Sequence, residues 1–465
     1  MRYFRLPYIL YRDYPDFGYL TDNRNFGYDT ASKSCVKVGD RIVSKVGSVF
    51  YSVLEDKPLS DKEMVAKLMP LFEGVSIAEL ESDAAEFYGQ LAEDGFVGRG
   101  DMNDTACYFS YSDRIAKILP AVDDGQNAQN DGNVKWGAQY RLSRVHLEVS
   151  AACNERCVHC YFPDSYRKGT MSRDLFLRIL YQCKSSNVLS ITISGGEPML
   201  NPDVMSFIQE CAKNNFSVNL LSNLTLMTDE MLEIFPKIPL LSVQTSLYSM
   251  VPEIHDSITK VKGSFEKTKK GIEKLHKYNI PMQINCPIME QNKDTYQAVL
   301  DWAKSLNIEA SSDYMLFGCF DGSGKNLKSR LDLSEVTPII REEVRREKDQ
   351  AEREPSNQNY NICPVCISSL CIAHDGNVYP CEGWQSYSLG NINEQTLSQI
   401  WTGPSTQKLR DYTLKDLPKC RSCAVREFCS ICLLRNSNES PNGDFRDVSP
   451  FFCEIAKLKA KTAHD

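Results

Sequence analysis

No stretch of the chain is long and apolar enough to span a bilayer, which excludes a helical membrane protein. The opening residues, Met1-Arg-Tyr-Phe-Arg-Leu-Pro-Tyr8, lack the apolar run and small-residue cleavage site of a secretory signal. A basic surplus is missing too. The formal net charge is −8, whereas a nucleic-acid partner asks for a basic surface. No internal repeat of fixed period is evident. The expectation is a cytoplasmic protein with neither membrane nor nucleic acid as partner. At 465 residues, 42% hydrophobic and 25% charged, it has the length of about two to four globular domains.

What is abundant is cysteine. Eighteen thiols without an export signal make a poor disulfide scaffold, because cytosolic thiols stay reduced. Three lie at Cys153, Cys157 and Cys160, and nine lie between Cys363 and Cys453. Six are scattered: Cys35, Cys107, Cys183, Cys211, Cys286 and Cys319. Each of these reads as a small buried hydrophobe, although Cys319, after a late strand, could also face a cavity.

Composition divides the chain into residues 1–115, a polar linker at 116–139, residues 140–355 and residues 356–465. The first part opens with short aromatic and β-branched runs such as Phe17-Gly-Tyr-Leu-Thr21. Ser60-x-x-Glu63 and Ser76-x-x-Glu79 then read as capping boxes, with Leu80, Phe87 and Leu91 near helical spacing behind the second. Strands, then helices, then a turn is the order of a small winged helix. The long middle part alternates strand-like runs, at Val145–Val149, Ser190–Ser194, Ser217–Leu221, Leu241–Thr245 and Met282–Asn285, with helical stretches. That alternation predicts an α/β fold, a parallel sheet covered by helices, open or closed into a partial barrel, with ligands at the carboxyl ends of the strands. Arg341–Glu354 is a charged run, read as a solvated helix or linker. The last part is rich in cysteine and turns, and its apolar content looks too thin for a core without metal cross-links.

Cys153-Asn-Glu-Arg-Cys157-Val-His-Cys160 places three soft thiols, spaced C-x3-C-x2-C, just after the first strand of the middle part. Iron–sulfur clusters normally take four cysteines, so a loop of three leaves one iron open. A structural zinc site is the alternative, but zinc usually closes with a fourth Cys or His, and His159 lies awkwardly between two of the thiols. The second strand ends Ser194-Gly195-Gly196-Glu197-Pro198. Its adjacent glycines let the backbone approach a ligand closely, and the Glu197 carboxylate can accept hydrogen bonds from an ammonium group.

A three-thiol loop followed one strand later by Gly-Gly-Glu-Pro resembles the radical S-adenosylmethionine (radical SAM) enzymes. The resemblance implies a partial (β/α)6 TIM-like barrel with a [4Fe–4S] cluster on Cys153, Cys157 and Cys160. It also implies S-adenosylmethionine held by Gly195, Gly196, Glu197 and Pro198. Softer matches add Ser222, Asn223, Gln244, Ser246 and Tyr161 as cofactor contacts, although most relatives have Asn-Gly where this chain has Asn223-Leu224. In that chemistry an electron, from a donor such as flavodoxin or ferredoxin, breaks the sulfonium–carbon bond. The resulting 5′-deoxyadenosyl radical takes hydrogen from unactivated carbon.

Cys371-x9-Cys381, Cys420-x2-Cys423-x5-Cys429-x2-Cys432 and Cys453 are similar to the SPASM domain of such enzymes, which holds two auxiliary [4Fe–4S] clusters. The usual last close pair is C-x3-C, and a zinc ribbon is the competing reading. The family pattern implies an outer cluster on Cys420, Cys423, Cys429 and Cys453. An inner one would use Cys371, Cys381 and Cys432, with Cys366 preferred over Cys363 as fourth ligand, giving three clusters in all. The first part resembles the peptide-recognition element of enzymes that mature ribosomally made peptides, a winged helix that pairs a leader peptide onto a sheet edge. Together these imply a peptide maturase whose leading product is a thioether from cysteine sulfur to carbon. A carbon–carbon cross-link, a formylglycine-forming sulfatase activator and a zinc-stabilised peptide-binding scaffold are the alternatives. No residue outside the cofactor sites can be given a catalytic role from the sequence.

Overall fold

The computed structural model describes residues 1–23, 39–100, 140–348, 363 and 365–464. The polar linker, Cys35, Cys107 and the end of the charged run past Lys348 lie outside the described residues.

The N-terminal part forms two small sheets. Strands β1 (Arg2–Arg5), β5 (Leu59–Ser60) and β6 (Val97–Arg99) pair in the order β5-β1-β6. Strands β2 (Leu10–Asp13), β3 (Phe17–Thr21) and β4 (Asp40–Ser44) form an antiparallel meander. Helices α1 (Lys45–Ser52), α2 (Asp61–Leu68) and α3 (Ile77–Glu93) pack on them. Ser60 with Glu63 and Ser76 with Glu79 both close as capping boxes, satisfying first-turn amides. The buried stripe of α3 is Leu80, Ala84, Tyr88 and Leu91, with Phe87 half-buried against the same core; Tyr88 donates its hydroxyl to Phe50 O at 2.7 Å.

The middle part is an open barrel of six parallel strands in chain order: β7 (Arg144–Ser150), β8 (Ser190–Gly195), β9 (Ser217–Leu221), β10 (Leu241–Ser246), β11 (Met282–Pro287) and β12 (Glu309–Asp313). Side chains alternate along each strand. Val145, Leu147, Ile191, Ile193, Val218, Leu220 and Val243 pack with helix residues such as Phe176, Ile179 and Phe207 in the main core. The intervening polar residues form a cross-strand ladder: Ser242 to Asn219, Gln244 to Gln283, Gln283 to Ser311 and Ser311 to Asn285. One wall of the sheet is therefore greasy and the other chemical. The strand β12, Glu-Ala-Ser-Ser-Asp, carries no apolar alternation because it is an exposed edge.

The cysteine-rich part is joined to this sheet. Strand β13 (Ser369–Ile372) runs parallel beside β7, with Cys371 opposite His146, and β14 (Asn377–Tyr379) and β15 (Gly390–Asn391) continue the sheet antiparallel. Leu370, Ile372, Val378, Trp384, Leu397, Ile400 and Leu433 enter the same core as the barrel. The expectation of too thin a core is corrected: these residues share a core with their neighbour instead of building their own.

The N-terminal module docks on the turns that enter the barrel strands, the end opposite their carboxyl termini. Arg12, 5% exposed, donates Nε to Val188 O and Nη2 to Asn215 O, both at 2.8 Å. Asn215 in turn accepts from Tyr11 N and donates to Ile9 O. Leu10 and Tyr19 pack against Leu189 and Leu240. Arg12→Ala would strand two buried carbonyls, and a loss of about 2–4 kcal/mol is expected. Hydrogen exchange of the N-terminal module would read it as earlier opening than in the wild type.

Candidate active site

A cavity of about 480 Å³ lies at the carboxyl ends of β7 to β11. Cys153, Cys157 and Cys160 line it, and so do Cys381 and Cys432 from the C-terminal part.

The three-thiol loop is held by its own backbone. Arg156 N and Val158 N donate to Thr259 O and Ile258 O at 2.9 Å, and Asn326 Nδ2 donates to His159 O at 3.1 Å. Cys319 is fully buried, its thiol toward Cys160 O and Asn326; among the two readings it takes the structural one. The ring of His159 packs on Tyr248, and burial pushes its pKa down to about 4. Tyr248 donates its hydroxyl toward Cys157 Sγ at 3.8 Å. Burial pushes the Cys153 thiol up to about 11 and Cys157 well above its ordinary value, with added repulsion from neighbouring acids and thiols. Such thiols ionise readily only against a cation, which fits a soft metal cluster. Among the described residues no three His, Cys, Asp or Glu side chains converge on a point that a single ion could occupy.

Gly195 and Gly196 make their close approach to protein, not to open space. A Cβ on Gly195 would stand 2.0 Å from Ser150 O, and one on Gly196 2.4 Å from Ala152 O. Gly196 N and Glu197 N donate to those same carbonyls. The motif thus clamps the start of the three-thiol loop to β8. Glu197, 1% exposed, accepts from Ser222 Oγ at 2.8 Å, Asn223 N at 2.9 Å and Met199 N at 3.0 Å, and so ties the end of β9 to the clamp. Pro198 is buried at the start of a single 3-10 turn. Gly195, Gly196, Ser222, Asn223, Gln244, Ser246 and Tyr161 all line the cavity; Glu197 and Pro198 stand behind it. Leu224, where the family resemblance implies glycine, has φ +61° and is packed under Gly271. The left-handed turn is kept here at a cost of about 1 kcal/mol.

Of the C-terminal thiols, Cys420, Cys423, Cys429 and Cys453 share one neighbourhood: burial raises Cys420 and Cys429, and the charges of Cys453 and Cys423 raise Cys420 further while those of Cys453, Cys420 and Cys423 raise Cys429. Cys381 is raised by burial, then by Glu382, Cys363 and Cys432, while Cys371 is raised by burial, by Glu148 and Glu382, and by Cys381. Cys363 therefore stands with Cys381 and Cys432. Cys366, preferred under the family pattern, has φ +61°; after burial its shift answers to Arg410 and Cys363, and Arg410 Nε donates to its carbonyl at 2.6 Å.

Several lining residues escaped sequence reasoning: His146, Glu155, Arg167, Asn285, Phe317, Glu382 and Arg435. His146 Nε2 bonds Ser194 Oγ, and its Nδ1 faces Glu382 Oε2 at 3.8 Å. The period-two polar row of the strands was the signal that could have found His146 and Asn285. Glu148, two residues on, is buried between β7 and the C-terminal part, bonded by Tyr166 and Gln385, and burial pushes it up to about 8. A carboxyl raised in the folded state stabilises fully below its ordinary value of 4.5, and that contribution is lost as pH rises toward 8. Glu148→Gln is expected to flatten the fall of thermal stability across that window.

The family models match in the same two places: "Radical SAM superfamily" over residues 147–303 and the SPASM "Iron-sulfur cluster-binding domain" over residues 363–424. The chain carries a radical SAM domain followed by a SPASM domain. Among curated relatives, the AdoMet-dependent heme synthase of Methanosarcina barkeri is 26% identical over 66% of this chain and 95% of its own. The antilisterial bacteriocin subtilosin biosynthesis protein AlbA of Bacillus subtilis is 26% identical over 63% of this chain and 68% of its own. Among solved structures, Streptococcus suis SuiB bound to precursor peptide SuiA superposes with a TM-score of 0.58 at 15% identity, covering 97% of this chain and 99% of that one. That likeness concerns the fold, and it extends over the N-terminal module as well as the radical SAM and SPASM domains. S-adenosylmethionine and iron–sulfur clusters are the cofactors of these two domains.

Proposed function

We propose that this radical SAM protein matures a ribosomally made precursor peptide by forming thioether cross-links from cysteine sulfur to carbon. The observation that carries it is the cavity lined both by Cys153, Cys157 and Cys160 and by Cys381 and Cys432. Relatives named for subtilosin biosynthesis, sporulation killing factor maturation and PqqA peptide cyclisation support a peptide substrate.

Cys153, Cys157 and Cys160 would hold the cluster that meets the cofactor. Cys420, Cys423, Cys429 and Cys453 would hold an outer cluster, and Cys371, Cys381 and Cys432 an inner one. Cys363, not Cys366, is the proposed fourth inner ligand, because its thiol neighbours are Cys381 and Cys432. When bound, S-adenosylmethionine and its cluster supply a carbon radical able to take hydrogen from unactivated carbon. The chain's part is positional. Glu197 and the two glycines fix the loop against β8, Gln244 and Asn285 present the polar wall, and Tyr161, stacked on Phe317, closes one side. A leader peptide would pair with β4, whose edge away from β3 has no strand partner among the described residues. A cytoplasmic location and a flavodoxin or ferredoxin as electron donor complete the proposal; no helix of the described residues is long and apolar enough to cross a membrane.

Co-expression with each short open reading frame found beside the gene, followed by mass spectrometry, tests this. A thioether removes a pair of hydrogens and one alkylatable thiol per link. A carbon–carbon link leaves every thiol alkylatable, and an unchanged peptide alongside active cofactor cleavage would sink the maturase reading.

A further inference from the structure

A second cavity of about 480 Å³ opens at the free edge of the sheet, lined by Ser312 and Asp313 of β12 and by Tyr314, Ile339, Glu343 and Lys459. Arg435 lines this cavity and the catalytic one alike, so its side chain is part of the wall between them. It rises from the helix Leu433–Glu439, directly after Cys432, and its guanidinium stands 4.8 Å from the centre of the Phe452 ring.

Among the described residues Arg435 has no ion pair and no side-chain hydrogen bond. The carboxylates around it are already engaged. Glu439 is held by Arg330 at 2.6 Å and Ser449 Oγ at 2.8 Å, and Glu343 by Lys459 at 2.6 Å and the Tyr314 hydroxyl at 2.8 Å. In the catalytic cavity Glu382 faces His146, and Glu155 faces Cys157. Its charge reaches the Cys363 thiol, but a half-buried guanidinium with a clear face on two cavities and no carboxylate partner of its own is a receptor for one. Its planar fork matches a carboxylate, and its perch on Phe452 orients that fork in advance. The second cavity lies where the barrel is open, beside a strand exposed along most of its length, which leaves room for an extended chain.

We propose that the substrate peptide reaches the catalytic cavity through this second cavity, and that Arg435 binds an Asp or Glu side chain of that peptide near its reacting residue. The proposal rests on the peptide-substrate reading above.

The test is to pan a displayed library of random peptides, without oxygen, on the reconstituted holoenzyme loaded with S-adenosylmethionine. Wild type should enrich Asp and Glu. Arg435→Lys should keep that preference, and its iron content serves as the check on folding. Arg435→Gln should lose it, with affinity for a resynthesised acidic peptide falling roughly tenfold. Arg435→Glu should select Lys and Arg instead. If wild type and Arg435→Glu select the same side chains, the assignment of Arg435 is overturned while the peptide reading stands. Selection for a free C-terminus without Asp or Glu overturns the side-chain assignment as well. If wild type enriches no peptide at all, the peptide reading itself fails.

Discussion

Replacing Cys153, Cys157 and Cys160 together with alanine should remove about one third of the iron and abolish S-adenosylmethionine cleavage, if three clusters of four irons are each held independently. The independence has a structural basis. The three-thiol loop is anchored by backbone bonds to Thr259 and Ile258 and by Asn326, none of which needs the thiols. The outer thiols belong to a segment whose apolar residues already lie in the barrel's core. The variant should therefore fold and keep roughly eight of about twelve irons, read by iron and sulfide analysis of the reconstituted protein. Cleavage that persists would show that the loop is not where the cofactor is activated. Loss of nearly all the iron would show that the C-terminal clusters depend on the first.

Gly195→Ala should be the most damaging single-methyl change in the chain. Gly195 has φ +134°, where an L side chain is strained, and the new Cβ would stand 2.0 Å from the Ser150 carbonyl oxygen. That neighbour is backbone, hydrogen-bonded to Gly196 N at 2.7 Å, and cannot swing aside as a side chain would. A penalty of about 3 kcal/mol or more is expected, a lowering of the unfolding midpoint by several degrees. Because the clamp also seats Glu197 N on Ala152 O, cofactor binding should fall further than stability alone explains. A normal melting curve together with normal cofactor affinity would mean that β7 and β8 can part at no cost, contrary to the packing seen.

The fold was legible wherever local chemistry and periodicity agree. Five of the six barrel strands were readable because each alternates a greasy residue for the helices with a polar one for the interior, bounded by turns. The sixth, β12, was not, since an exposed edge needs no apolar face. The capping boxes at Ser60 and Ser76 were readable because the bonds they make span only three residues. Phe87 packs against the core of the N-terminal module as its spacing predicts, while the fuller burial of its neighbour Tyr88 is decided by packing alone.

The cysteine loop and the Gly-Gly-Glu-Pro turn were determined by the sequence alone, because each is a short run whose spacing is itself the chemistry. What those glycines approach, which of Cys363 and Cys366 stands with Cys381, and why the cysteine-rich part needs no core of its own were decided only in three dimensions. Each depends on residues brought together from distant parts of the chain: Ser150 beside Gly195, Arg410 beside Cys366, β13 beside β7. Arg435 belongs to the same class. Nothing in its sequence neighbourhood marks it, and its meaning comes from two cavities meeting at one side chain while every nearby carboxylate is already engaged.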